Sequence, residues 1–119
     1  MWRKSASSFL ACLLYVALIS GCASSEDRAA LGSEVFNRSC AECHSVDPNA
    51  PPMKGPTLAY LFSVRDLRKF MSNGKVLTVR NLEVLISVGY GEMPGTALEP
   101  DEMDALVEFL LAESQQEQP

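Results

Sequence analysis

The sequence predicts an all-α domain of about four short helices. Three observations carry this expectation. Apolar residues recur at helical spacing in four segments, capping residues and glycines bracket those segments, and no stretch alternates apolar with polar residues as a strand would. Hydrophobic residues make up 47% of the 119 and charged residues 21%, an ordinary globular balance, and the length suits one domain.

Residues 1–21 stand apart from that domain. Arg3 and Lys4 precede an uncharged run from Phe9 to Ser20. The run is shorter than the roughly 20 apolar residues that span a bilayer and reads as an export signal. It ends in Leu18-Ile19-Ser20-Gly21-Cys22, which resembles the lipobox of bacterial lipoproteins. Cys22 is therefore the expected lipidation site, ordinary cleavage near Ala23 being the alternative. Residues 22–26 form a short membrane tether. Loss of Arg3 and Lys4 takes the net charge from −5 to −7, and so acidic a chain is a poor partner for nucleic acid.

The first helix is expected from Asp27 to Ser39, with Leu31, Val35 and Phe36 on one face. The second should start at Ser63, where Ser63 and Asp66 resemble a capping box. Val64, Leu67, Phe70 and Met71 would form its inner stripe, and Gly74 its end. The third should start near Thr78 and carry Leu82, Leu85 and Ile86 inward until Gly89. The fourth opens at Pro100, with Asp101 and Glu102 favourable to the helix dipole. In it Met103, Leu106, Val107, Leu110 and Leu111 recur at i, i+3, i+4, i+7 and i+8. Residues 115–119 form a polar tail.

The chemistry concentrates in Cys40-Ala41-Glu42-Cys43-His44, a C-x-x-C-H pattern. Two thiols three positions apart can add to the two vinyl groups on one edge of a porphyrin, and the adjacent histidine then reaches the iron. Zinc would ask for about four ligands, and this chain has one cysteine pair and a single histidine. A thioredoxin-like dithiol would need a βαβ setting, and a Cys40–Cys43 disulfide would leave His44 without a purpose. One motif implies one haem c held by two thioethers. With His44 as the only histidine, the sixth iron ligand is another donor or an open site.

Met93 is the expected sixth ligand, because Gly89-Tyr90-Gly91-Glu92-Met93-Pro94-Gly95 combines glycines that free the backbone with a proline that stiffens it. Met53, nine residues from His44, is the competing donor. Met71 and Met103 fall on inner helical stripes and read as core.

With these residues in view, the chain resembles class I (monohaem) c-type cytochromes. The resemblance rests on Gly32 and Phe36 before the motif, on Gly55-Pro56-Thr57-Leu58 after it, on Gly91-Glu92-Met93-Pro94, and on Phe109 in the last helix. It implies a cytochrome c domain at 27–114 in which the first and last helices cross at Gly32, Phe36 and Phe109. It also implies that the Pro56 carbonyl accepts the second ring proton of the haem histidine. Tyr60 is a candidate haem contact. The arginine expected after that loop arrives one position late, at Arg65, which is either a propionate contact or part of a solvated basic face. Five basic residues between Arg65 and Arg80, against Asp66, give that stretch a local charge of +4.

The function expected from all this is electron transport rather than enzymatic turnover. The chain would be a lipid-anchored iron protein on the periplasmic side of a bacterial membrane, exchanging single electrons with membrane-bound redox proteins and acting on no small-molecule substrate. A gas or peroxide site on an open haem, and a fixed subunit of a membrane oxidoreductase, are the other readings of the same motif.

Overall fold

The computed structural model describes residues 24–63 and 70–115. The expected export signal, Cys22, Arg65, most of the expected second helix and the last residues of the tail lie outside the described residues. Those described form three helices, α1 (Ser25–Ser39), α2 (Val79–Val88) and α3 (Pro100–Gln115), and two short strands, β1 (Gly89–Tyr90) and β2 (Met93–Pro94).

Helix α1 begins two residues earlier than its apolar spacing suggests because Ser24 and Asp27 cap each other. The Asp27 N–H donates to Ser24 Oγ at 3.2 Å, and the Ser24 N–H donates to Asp27 Oδ2 at 3.1 Å. This reciprocal pair satisfies two of the helix's first donors, with aspartate in the place more often held by glutamate. At its other end the Cys40 N–H donates to the Phe36 carbonyl at 2.8 Å.

Helices α1 and α3 cross where Gly32 meets the carbonyl of Ala105. A β-carbon on Gly32 would also lie 2.7 Å from that of Phe109, so a residue without a side chain sets the helix spacing. The rings of Phe36 and Phe109 meet beside the crossing, centroids 5.4 Å apart and tilted by 42°. Val35, Leu106 and Leu110 are fully buried around it, and Leu82 and Ile86 bring α2 onto the same core. Ion pairs edge the crossing. Arg28 reaches Asp104 at 3.6 Å and Glu108 at 2.9 Å, and Arg38 reaches Glu102 at 2.8 Å.

Helix α2 has the ends its sequence announces. Thr78 Oγ1 accepts from the Asn81 N–H at 3.1 Å, and Gly89 ends the helix at φ 75°.

One expectation needs correction. The residues before Gly74 do not finish a helix. Phe70 and Val76 form an antiparallel bridge around a turn in which the Met71 N–H donates to the Lys75 carbonyl at 2.8 Å. Asn73 Oδ1 accepts from the Lys75 N–H, and Gly74 sits at φ 76°; this turn chemistry overrides the helical spacing. Phe70, expected on an inner stripe, is 62% exposed, while Met71 packs against the core. The all-α expectation is roughly met, with one addition of four residues. Gly89 pairs with Pro94 and Tyr90 with Met93 in a hairpin too short to show any alternation in sequence.

Candidate haem site

The C-x-x-C-H segment continues from α1 as one further turn. The N–H groups of Cys43 and His44 both donate to the Cys40 carbonyl, at 3.0 and 2.9 Å. In such a turn, positions three apart lie on the same side, so Cys40 and Cys43 can address one edge of a flat ligand. Both carry free, half-buried thiols. Burial pushes the Cys40 thiol above its ordinary pKa, which keeps it protonated at neutral pH.

His44 is held from two directions. Its Nδ1–H donates to the Pro56 carbonyl at 2.8 Å. A proline carbonyl can only accept, so the proton sits on Nδ1 and the lone pair of Nε2 is free to bind metal. Gly55 lies flat against the ring; a β-carbon there would fall 2.6 Å from Nδ1 and 2.9 Å from Nε2. The loop itself is pinned on either side of the histidine. The Gly55 N–H donates to the Cys43 carbonyl and the Leu58 N–H to the Ser45 carbonyl, both at 2.8 Å, and Thr57 Oγ1 also donates to Ser45 at 3.2 Å.

Met93 sits in β2, half-buried and packed against the core. Its hairpin is clamped onto the end of α2. The Thr96 N–H donates to the Ile86 carbonyl at 2.8 Å, and Gly95 leaves no room for a side chain beside the Ser87 carbonyl. Gly89 combines a positive φ with equally close neighbours in Met93 and Gly95, so glycine alone fits there. Met53, by contrast, is 39% exposed on a loop with Pro51 and Pro52. Met71 and Met103 pack against the core, and Tyr60 is half-buried.

The fold thus offers two free thiols and an imidazole with Nε2 available around one turn, and a half-buried thioether on the hairpin. Val46, Leu58, Leu61 and Leu98 pack against the core yet stay partly exposed, an apolar margin suited to a macrocycle. Among the described residues, no three His, Cys, Asp or Glu side chains converge as a site for a bare metal ion. These residues fit a c-type haem. The family model for cytochrome c matches residues 29–113.

The chain belongs to the cytochrome c family.

Membership of that family carries haem-based electron transfer and a covalently bound haem c. No curated protein matches the sequence. Two features of this cytochrome were not anticipated from its sequence. Gly55 belongs to the Gly55-Pro56-Thr57-Leu58 run, but only the folded loop brings it against His44. In sequence Glu102 offers only its charge near the α3 N-terminus. In the fold its Oε1 accepts from Arg38 at 2.8 Å while its Oε2 accepts from the Glu99 N–H at 3.1 Å. The Arg38 hydrogen bond, followed by that of Glu99, holds the Glu102 carboxyl below the usual carboxylate range.

Proposed function

We propose that this cytochrome is an exported, lipid-anchored carrier of single electrons, in which Cys40 and Cys43 would attach one haem and His44 and Met93 would hold its iron. The observation that carries the reading is the 2.8 Å bond from His44 Nδ1 to the Pro56 carbonyl, placed directly after two free thiols. When bound, the haem supplies an iron that cycles between the ferrous and ferric states.

The protein's own groups do the rest. The Pro56 carbonyl fixes the tautomer of His44, aims the ring and raises its basicity. The β1–β2 hairpin presents Met93 with little freedom to move away, and a thioether donor favours the reduced state and hence a relatively high potential. The apolar margin keeps water from the redox centre. Six-coordinate ligation offers no open position for substrate chemistry, which favours carriage over catalysis.

The lipobox-like run before Cys22 supports acylation there and a place on the periplasmic side of a bacterial membrane. Acylation with two or more chains anchors stably, and the natural donors and acceptors are then membrane-bound redox proteins. The visible spectrum of the purified protein tests the haem assignment, with sharp α and β bands expected on reduction. Replacement of Cys22 by Ser tests the anchor. It should abolish lipid modification and, behind an alternative cleavable signal, release a soluble haem protein. Release of the wild type by salt alone would remove the anchor from this reading.

A further inference from the structure

Among the described residues, every exposed large hydrophobic side chain except Met53 falls between Phe70 and Tyr90. Apart from Val79, which shares the helical row of the buried Leu82 and Ile86, they can be followed from one to the next along the chain. Phe70 and Val76, 62% and 50% exposed, are partners in an antiparallel bridge, which sets their side chains next to each other. Asn81 Nδ2 donates to the Val76 carbonyl at 2.9 Å and ties that turn to the first turn of α2. Asn81, Val84 and Val88 follow at i, i+3 and i+7, a single helical stripe, with exposed Tyr90 just beyond it. Leu82 and Ile86, the buried residues of α2, each stand two positions from Val84, about 200° around the helix. The stripe therefore faces away from the core, and a macrocycle bound at the core margin leaves it bare.

The charges around this face are distinctive. Arg28, Arg38 and Lys54 each have an acidic partner. Lys75 and Arg80, both exposed, are the described Lys and Arg side chains outside any ion pair. Lys75 precedes Val76, and Arg80 stands one helical turn before Val84. Of the acids nearby, Glu83 is half-buried and Glu92 occupies the hairpin turn, while most acids lie on α1 and α3.

We propose that the outer face of α2, from the Phe70–Val76 bridge to Tyr90, docks a protein whose contact area has an apolar centre and an acidic rim. The proposal rests on the electron-carrier reading. A small apolar patch with unpaired cations gives fast association and ready release, as a carrier requires.

The test uses the haem-loaded full chain in non-ionic detergent, titrated with a small [2Fe–2S] ferredoxin of strongly acidic surface. Amide NMR signals of Val76, Asn81, Val84, Val88 and Tyr90 should shift. Lys75→Glu with Arg80→Glu should weaken binding about tenfold at low salt and less as salt rises. Val84→Ser with Val88→Ser should weaken it at every salt concentration. Arg28→Glu, which changes the charge on α1 as much as Arg80→Glu does on α2, should have the smaller effect of the two. Equal weakening by those two single variants, or shifts confined to α1 and α3, would overturn the proposal. It also fails if the double charge reversal abolishes binding to phosphatidylglycerol vesicles, or if the valine replacements abolish self-association without ferredoxin. Binding at this face without transfer of one electron from the reduced cluster to the haem iron would refute the carrier reading and leave the docking face standing.

Discussion

Gly55 lies against the imidazole of His44, closer than any side chain would allow. The same short loop offers the Pro56 carbonyl to Nδ1 at 2.8 Å, so one backbone turn both packs the ring and hydrogen-bonds it. Gly55→Ala should force the loop or the ring aside. The expected result is a loss of about 1–3 kcal/mol of stability, as for other overpacked sites. A changed reduction potential should accompany it as the His44 bond lengthens. Thermal unfolding and a redox titration of the haem-loaded variant check both parts. A stability loss with an unchanged potential would mean that Gly55 only fills space.

Attachment is tested under denaturing conditions, because thioether bonds survive unfolding. Haem should migrate with the wild-type chain on a denaturing gel and be lost from it in the Cys40→Ala, Cys43→Ala double variant. Extraction of wild-type haem into acidic organic solvent would rule out the covalent link.

The two candidate methionines differ in how they are held. Met93 is half-buried on a clamped hairpin, and Met53 is exposed among prolines. Met93→Ala should lower the potential and let carbon monoxide bind the reduced protein, whereas Met53→Ala should change neither. The reverse pattern would make Met53 the ligand.

Glu102 links α3 to α1 through Arg38, and its folded pKa is depressed by that bond. A depressed carboxylate stabilises the fold above its unfolded pKa, about 4.3 for glutamate, and loses that contribution as pH falls through the folded value. The melting temperature of wild type should exceed that of Glu102→Gln near neutrality, with the gap closing as pH falls through the acid range. A gap that persists below both pKa values would assign the effect to packing.

Much of this architecture is legible in the sequence because local chemistry and tertiary need agree. Thr78 and Gly89 mark the ends of α2 whether read as letters or as coordinates, and the i, i+3, i+4 spacing of α3 places Leu106 and Leu110 in the core. The Cys40-x-x-Cys43-His44 run is self-announcing, since its spacing serves one kind of covalent chemistry. Phe70 is the instructive miss. Its helical spacing from Leu67 looked inward, but Asn73 and Gly74 make a tighter turn than a helix allows. The hairpin around Met93 escapes notice because two-residue strands have no period. The Arg38–Glu102 pair joins residues 64 apart in sequence, and nothing local to either announces the other.

The cap at Ser24 turns α1 into a ruler. Regular helix starts at Ser25, so with Cys22 acylated at most about 10 Å of extended chain would separate that residue from the helix. The 15 residues of α1 then cover about 22 Å and end at Cys40, where the attachment motif begins. On the lipid-anchored reading proposed above, height above the bilayer would be bounded by secondary structure rather than by a slack leash. The proposed anchor would then favour donors and acceptors that present their redox centres within roughly 30 Å of the lipid surface.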